Sequence, residues 1–372
     1  MSATIPQVRA GERVHVLVVD DSAVMRQVMT SVLAREAGIT VDVAAHPLIA
    51  RTKMERHRPD VIVLDLEMPH VDGLTFLQRI MATDPIPVLV CSALARGGAD
   101  TVLRALEYGA VDVVQKPASG IQDFLYESAV LLVDKVRAAA RARARVHQHH
   151  ATPPAPLPPT PRHTADAVLP PLSRPLSVTT DKVVAVGTST GGTEALRVLL
   201  TGLPLDAPGF VVVQHMPEMF TAAFAERLNQ HCQVFVKEGE DGDRVRPGCV
   251  LIAPGNRHTL VVRNGAQYVI RVTDGPLVAR HRPSVDVLFR SVAQAAGPNA
   301  VGVLMTGMGD DGAEGLLEMK RAGASTIAQD EATSVVFGMP RAAIERGAVD
   351  DTMPLHRIAG AILARTGLAN VR

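Results

Sequence analysis

Between Ala151 and Pro175 the chain reads "ATPPAPLPPTPRHTADAVLPPLSRP", with nine prolines. Proline lacks a backbone N–H and has a fixed φ, so so dense a run builds neither regular helix nor central strand. An extended, semi-rigid linker is expected there. It divides 372 residues into two segments, each long enough to bury its own core. The expected boundaries are 12–140 for the first domain, 141–178 for the linker and 179–370 for the second domain. Just before the linker lies "VRAAARARARVHQHH". It reads as the solvated end of a helix, with contact to an acidic partner as the other reading. His147, His149 and His150 read as part of a solvated linker, with binding of stray metal as the other reading.

Both segments alternate strand and helix patterns. In the first, "VHVLVV", "VIVLDL", "PVLVCSA" and "AVDVVQ" are short β-branched runs of buried-strand type. Val24, Val28 and Val32, flanked by Met25, Met29 and Leu33, predict an amphipathic helix. In the second, "VVAVG", "FVVVQ", "CVLIA", "AVGVLMTG" and "STIAQ" predict strands. "TEALRVLL", "SVDVLFRSVAQAA" and "GAEGLLEMKRAG" predict helices. "HTLVVRNGAQYVIRV" is different, because Asn264-Gly265 between alternating runs signals a hairpin. The expected fold class is α/β: two doubly wound, mainly parallel sheets, the second with an inserted hairpin.

Lys+Arg and Asp+Glu both number 38, so no overall positive field points to nucleic acid. Cys91, Cys232 and Cys249 lack disulfide or metal spacing, which suits a reducing cytoplasm. No apolar run approaches the ~18–20 residues needed to span a bilayer. The N-terminus has no signal-peptide pattern, and "LARTGLANVR" has no aromatic-acidic tethering tail. The expectation is a cytoplasmic protein with no membrane insertion.

Doubly wound sheets collect functional groups beyond the carboxyl ends of their strands. In the first segment those ends supply Asp20 and Asp21, Asp65, Ser92, and Lys116 ahead of Pro117. Clustered carboxylates repel unless a cation is present, and hard oxygen ligands suit Mg²⁺. Such a cluster can hold a metal while one carboxylate attacks a phosphoryl group, with Lys116 pairing the phosphate. "VVDDS", "LDLEMPHVDG", "CSA" and "KP", in this order and spacing, resemble a two-component receiver domain. The resemblance implies phosphorylation at Asp65, Mg²⁺ on Asp20, Asp21 and Asp65, and phosphate sensing by Ser92 and Lys116. Many receivers carry an aromatic switch residue three positions before the lysine. Here it is Val113, so an aromatic relay is not expected.

In the second segment "GTSTG", Gly187 to Gly191, fits G-x-S-x-G between a predicted strand and a predicted helix. Flanking glycines would permit a sharp, strained turn that lifts Ser189 above the sheet edge. The following helix N-terminus would face developing negative charge. A Walker loop needs a lysine after its last glycine, and Thr193 stands there. A nucleophilic serine needs a base and an orienting acid. "FVVVQHMP" puts His215 past another strand, and "LMTGMGDDGAEG" puts Met308, Asp310 and Asp311 past a third. The residues alone leave Asp310 and Asp311 open.

"GTSTGGTEAL", "QHMP", "APGNRH", "RPSVDVLF" and "LMTGMGDDGAEG" resemble the catalytic domain of the chemotaxis protein-glutamate methylesterases. With the receiver ahead of it, the likeness covers nearly the whole chain except the linker. It implies Ser189 as nucleophile, His215 as base and Asp311 as orienting acid, with Thr190 and the Met308 backbone beside the oxyanion. It also implies demethylation of glutamate methyl esters and deamidation of glutamines on methyl-accepting chemotaxis receptors, with a chemotaxis histidine kinase as phosphodonor. No cofactor is implied for ester hydrolysis. The order Ser…His…Asp differs from the Ser…Asp…His of ordinary α/β-hydrolases. An unphosphorylated receiver is expected to cover the Ser189 cleft. The rivals are an output domain that only docks a partner or nucleotide, and a hydrolase retuned to another protein ester. His258, Arg280, His281 and Arg282 are either solvated loop charges or receivers of an acidic helical substrate. Phe220 and Phe224 are expected in the core or in the substrate wall.

Overall fold

The computed structural model describes residues 13–68, 72–92, 98–116, 129–147, 163–170 and 182–368. They group into two compact units divided between His149 and His150. The first holds β1 (Val14–Val19), α1 (Ala23–Leu33), β2 (Ile39–Ala44), α2 (Pro47–Arg56) and β3 (Val61–Asp65). It continues with α3 (Gly73–Thr83), β4 (Val88–Ser92), α4 (Ala99–Glu107), β5 (Asp112–Gln115) and α5 (Ala129–His147). The five strands pair in parallel in the order β2-β1-β3-β4-β5. This is the flavodoxin-like arrangement.

The four apolar runs are β1, β3, β4 and β5. The edge strand β2, "ITVDVA", is buried only at its two ends, so it lacks the continuous apolar run that marks the others. Val16, Val18, Val61, Val63 and Leu89 are at most 1% exposed and form the centre of the core. Helix α1 buries Val28, Met29, Val32 and Leu33. Val24, expected on this stripe, is 59% exposed. It lies in the first turn of the helix.

The second unit holds β6 (Val183–Thr188), α6 (Gly192–Thr201), β7 (Gly209–Gln214), α7 (Glu218–His231), β8 (Phe235–Glu238) and β9 (Arg244–Val245). Then come β10 (Cys249–Ile252), β11 (His258–Asn264), β12 (Gln267–Thr273), α8 (Val285–Ala295), β13 (Ala300–Leu304) and α9 (Ala313–Arg321). The last elements are β14 (Ser325–Gln329), α10 (Met339–Glu345), β15 (Asp351–Met353) and α11 (Leu355–Thr366). Seven strands form a parallel sheet in the order β15-β14-β13-β6-β7-β10-β8. All five apolar runs read from the sequence are in it. The short edge strands β8 and β15 are only partly buried, so no apolar run marks them. Phe220 and Phe224 of α7 are buried.

The hairpin is β11 and β12, joined to β9 in a small antiparallel sheet. Asn264 pairs with Gln267, so the loop residues are Gly265 and Ala266, one position later than Asn-Gly would give. Gly265 has φ 62 and Ala266 does not have positive φ, which suits a turn with glycine at the first central position.

Within the proline-rich span, residues 163–170 pack onto the second unit. Ala165–Ala167 form a 3-10 turn, and Ala165 is buried against Leu260, Val278 and Val287. No proline lies between Pro161 and Pro170, so this stretch keeps the backbone donors that the rest of the span has lost. Among the described residues no helix is long and apolar enough to cross a membrane.

Candidate active site

Strands β13, β6 and β7 are neighbours at the centre of the second sheet. β6 ends one residue before Ser189, and β7 ends one residue before His215. β13 leads through residues 305–312 to α9, bringing Asp311 with it. The neighbours of β6 are β7, the next strand in the chain, and β13, which is reached only after the chain has built the far edge. A parallel sheet opens its ligand crevice at such a switch point.

The serine turn is held from both sides. The Ser189 N–H donates to the Thr306 carbonyl at 3.0 Å, and the Gly192 N–H donates to the Ser189 carbonyl at 2.7 Å. Gln214 Nε2 also donates to the Ser189 carbonyl, at 3.0 Å. The Thr306 hydroxyl donates to the Thr190 carbonyl and accepts from the Val336 N–H. Thr306 and Gln214 are buried and were missed by sequence reasoning. The available signal was a polar residue at, or just past, the carboxyl end of an apolar strand.

The expected strain at the serine is absent. Ser189 has no positive φ; the left-handed residue is Gly191, at φ 77, where glycine carries no steric penalty. Two further glycines permit close approach. A Cβ on Gly187 would lie 2.2 Å from Val285 Cγ1, and one on Gly307 would lie 2.8 Å from Ser189 Cβ. Met308 therefore follows a residue packed on the serine. Thr190 is 1% exposed beside it.

His215 Nε2 and Asp311 Oδ2 are 2.9 Å apart, and both side chains are buried. Asp310 turns away and pairs with Arg346 at 3.1 Å. The fold thus separates the two aspartates that the residues alone left open. Asp311 sits at the N-terminus of α8. It accepts from the Ser284 hydroxyl at 2.8 Å, the Val285 N–H at 2.8 Å and the Asp286 N–H at 3.0 Å. Burial pushes its carboxyl up. The hydrogen bond and charge of His215, the charge of His281 and the Asp286 N–H outweigh burial and hold it below the usual carboxylate value. An ionised acid on Nε2–H leaves Nδ1 as the basic atom of His215. That atom is buried and has no hydrogen-bond partner.

His258 is neither a solvated charge nor a receiver of substrate. It is fully buried, with Nε2 2.9 Å from the Pro276 carbonyl and Nδ1 accepting from the Ser284 N–H at 3.3 Å. Burial lowers its pKa. Arg282 is tied to the Asn256 side chain and the Gly275 carbonyl. His281 reaches His215: the two rings stack with centroids 3.7 Å apart.

In the first unit, Asp20, Asp21 and Asp65 place carboxylate oxygens within 4.8 Å of one another. Lys116 Nζ lies 3.0 Å from Asp20 Oδ2 and 2.5 Å from Asp65 Oδ2. Burial, and the neighbouring Asp65 charge, raise the Asp20 carboxyl against the pull of Lys116. Burial opposes the Lys116 charge, but hydrogen bonds to Asp65 and Asp20 hold its pKa up. Three hard oxygen donors with one ammonium between them fit a small divalent cation. Ser92 is fully buried, its hydroxyl 3.5 Å from Glu67 Oε1. A Cβ on Gly73 would lie 2.6 Å from the Asp65 carbonyl, so glycine lets α3 start against the turn that follows Asp65. Val113 is buried in β5. Pro117 lies outside the described residues.

Residues 16–126 match the response regulator receiver domain and residues 184–362 match the CheB methylesterase domain. A protein-glutamate methylesterase/protein-glutamine glutaminase of Anaeromyxobacter dehalogenans is 61% identical over 347 residues, covering 93% of this chain and 94% of that one. The chain belongs to the protein-glutamate methylesterase/protein-glutamine glutaminase family. A second member, from Xanthomonas axonopodis, is 57% identical across 94% of this chain and 99% of its own. The solved CheB methylesterase catalytic domain of Thermotoga maritima is 37% identical, covering 50% of this chain and 98% of that one, with TM-score 0.49. The receiver domain of the Thermotoga CheB is also 37% identical, covering 34% of this chain and 96% of that one, with TM-score 0.32. In this family member Ser189 and His215 directly follow β6 and β7, and Asp311 lies on the segment between β13 and α9.

Proposed function

We propose that the chain is a phosphorylation-activated serine hydrolase. It removes methyl groups from glutamate esters on the cytoplasmic helices of methyl-accepting chemotaxis receptors and deamidates specific glutamines there. The buried His215–Asp311 pair at 2.9 Å, on a strand end next to that of Ser189, carries this reading. Ser189 Oγ attacks the γ-carbonyl, and its proton passes to His215 Nδ1. The C–O bond to the methoxy group breaks and the proton leaves with methanol. Water then hydrolyses the acyl-enzyme by the same route in reverse. Asp311, held ionised by four donors, keeps the imidazole tautomer and balances its transient charge. The Thr190 and Met308 turns flank the developing oxyanion, where each preorganised donor is worth about 2.7–4 kcal/mol.

In the receiver, Asp65 accepts the phosphoryl group from a chemotaxis histidine kinase. Asp20, Asp21 and Asp65 would hold Mg²⁺, which would supply neutralisation of phosphoryl charge. Ser92 and Lys116 would donate to the new phosphate oxygens; the Lys116 ammonium 2.5 Å from Asp65 supports this. Methanol release from methylated receptor, with and without a small-molecule phosphodonor, tests the whole reading. Methanol should appear, and more of it with the phosphodonor. No methanol in either case sinks the reaction, and equal rates sink the activation. Loss of turnover in Ser189→Ala separates catalysis from a docking-only output domain.

A further inference from the structure

We propose that His281 is a positioning residue for the base His215, and that linker residues 163–169 hold it in place. The proposal rests on the reading of His215 as the base that activates Ser189. One hydrogen bond, from Nε2 to Asp311, fixes a single point of the His215 ring. The other ring nitrogen has no partner. Hydrogen bonds therefore leave the plane of the ring undetermined, and with it the direction of Nδ1. A flat contact settles that plane. The His281 ring lies 3.7 Å from His215, with 10° between the two planes.

The loop that presents His281 is built by its contacts with the linker. Ala279 and Arg280 both have positive φ, 50 and 71, without being glycine. Such residues persist where surrounding structure over-determines them. Val278 and His281 exchange backbone hydrogen bonds at 3.0 and 2.8 Å, which closes a tight turn around the two. The Ala279 N–H donates to the His163 carbonyl at 3.0 Å, so the linker supplies the third tie. Ala165, with Val168 and Leu169 beside it, packs on Val278, Leu260 and Val287. Arg290, almost wholly buried, clamps the segment. It donates to Asp166 Oδ1 at 2.6 Å and to the Leu169 carbonyl at 3.0 Å, while Glu318 holds its other face. A continuous path of contacts thus runs from the linker through the Val278 turn and His281 to His215. Residues 163–169 lie within the second compact unit, so the base is oriented in part by chain that precedes the first strand of its own domain.

The test uses the full chain and a fluorophosphonate, with modification of Ser189 followed by intact mass. This readout does not depend on methylated receptor. His281→Ala should slow modification at least about tenfold, since misplacing a catalytic group by an ångström costs up to about a hundredfold. His281→Phe, which keeps a flat ring, should restore the rate to within about threefold of wild type. Ala165→Glu should slow modification as His281→Ala does and strip hydrogen-exchange protection from the Ala279 amide. Thermal melts identify any variant that fails to fold. If His281→Ala reacts within twofold of wild type, or Phe and Ala are equally slow, the positioning role is overturned. If Ala165→Glu loses the Ala279 protection and keeps the wild-type rate, the linker's part is overturned. A wild type that is not modified at Ser189, or a His215→Ala variant as fast as wild type, would overturn the catalytic reading instead.

Discussion

Ser284 uses one hydroxyl for two tasks: it donates to Asp311 Oδ1 at 2.8 Å and accepts from the Val287 N–H as the N-cap of α8. The start of a helix and the orientation of the acid are therefore the same interaction. Ser284→Ala should lose the cap, worth about 1 kcal/mol, and a hydrogen bond to a buried charge, worth about 1.5–3 kcal/mol. The expected result is a stability loss of about 2–4 kcal/mol in urea melts of the second domain. Turnover should fall with little change in KM. A variant as stable as wild type would mean the cap is dispensable.

Asp311→Asn should cut kcat by about 10³–10⁴, because an amide no longer enforces the productive imidazole tautomer. Its effect on stability should depend on pH. The Asp311 carboxyl is held below its usual value in the folded state. Its contribution is therefore complete above the unfolded value of about 3.9 and is lost as pH falls through the lower folded value. The stability gap between wild type and variant should be widest near neutrality and close at strongly acid pH. A gap that widens on acidification would contradict this sign.

Gly307→Ala places a Cβ 2.2 Å from Met339 Sδ and 2.8 Å from Ser189 Cβ. The methionine can move; the serine turn is fixed by Thr306 and Gln214. Overpacking of this kind costs about 1–3 kcal/mol, and displacement of the nucleophile should reduce turnover about a hundredfold. Unchanged turnover with the fold intact would show that the turn yields without moving Ser189.

Lys116→Met removes the ammonium between Asp20 and Asp65. Breaking a buried ion pair by deleting one partner costs about 3–5 kcal/mol. Mg²⁺ should then recover more stability in the variant than in wild type, because it supplies the missing positive charge. Calorimetric melts across a Mg²⁺ series check this. Equal Mg²⁺ responses would show that Lys116 does not compete with the cation, and no response in either protein would argue against a cation among these carboxylates.

The sequence by itself determined that two parallel α/β sheets would form, because β-branched runs and helix stripes are patterns of neighbouring residues. It also set Ser189 and His215 directly past strand ends, and the "DD" pair in the glycine-rich turn that follows a third apolar run. From the residues alone, Asp310 and Asp311 remained equivalent. The tertiary structure chose between them, because the helix N-terminus at Ser284 offers its donors to only one. Strand adjacency and bare glycines at 187 and 307 brought Asp311 to His215 across 96 residues of sequence separation. The burial of His258, the stacking of His281 and the docking of residues 163–170 likewise depended on contacts between distant segments. No local pattern encodes such contacts, because they follow from which strands lie side by side and how closely their helices can approach.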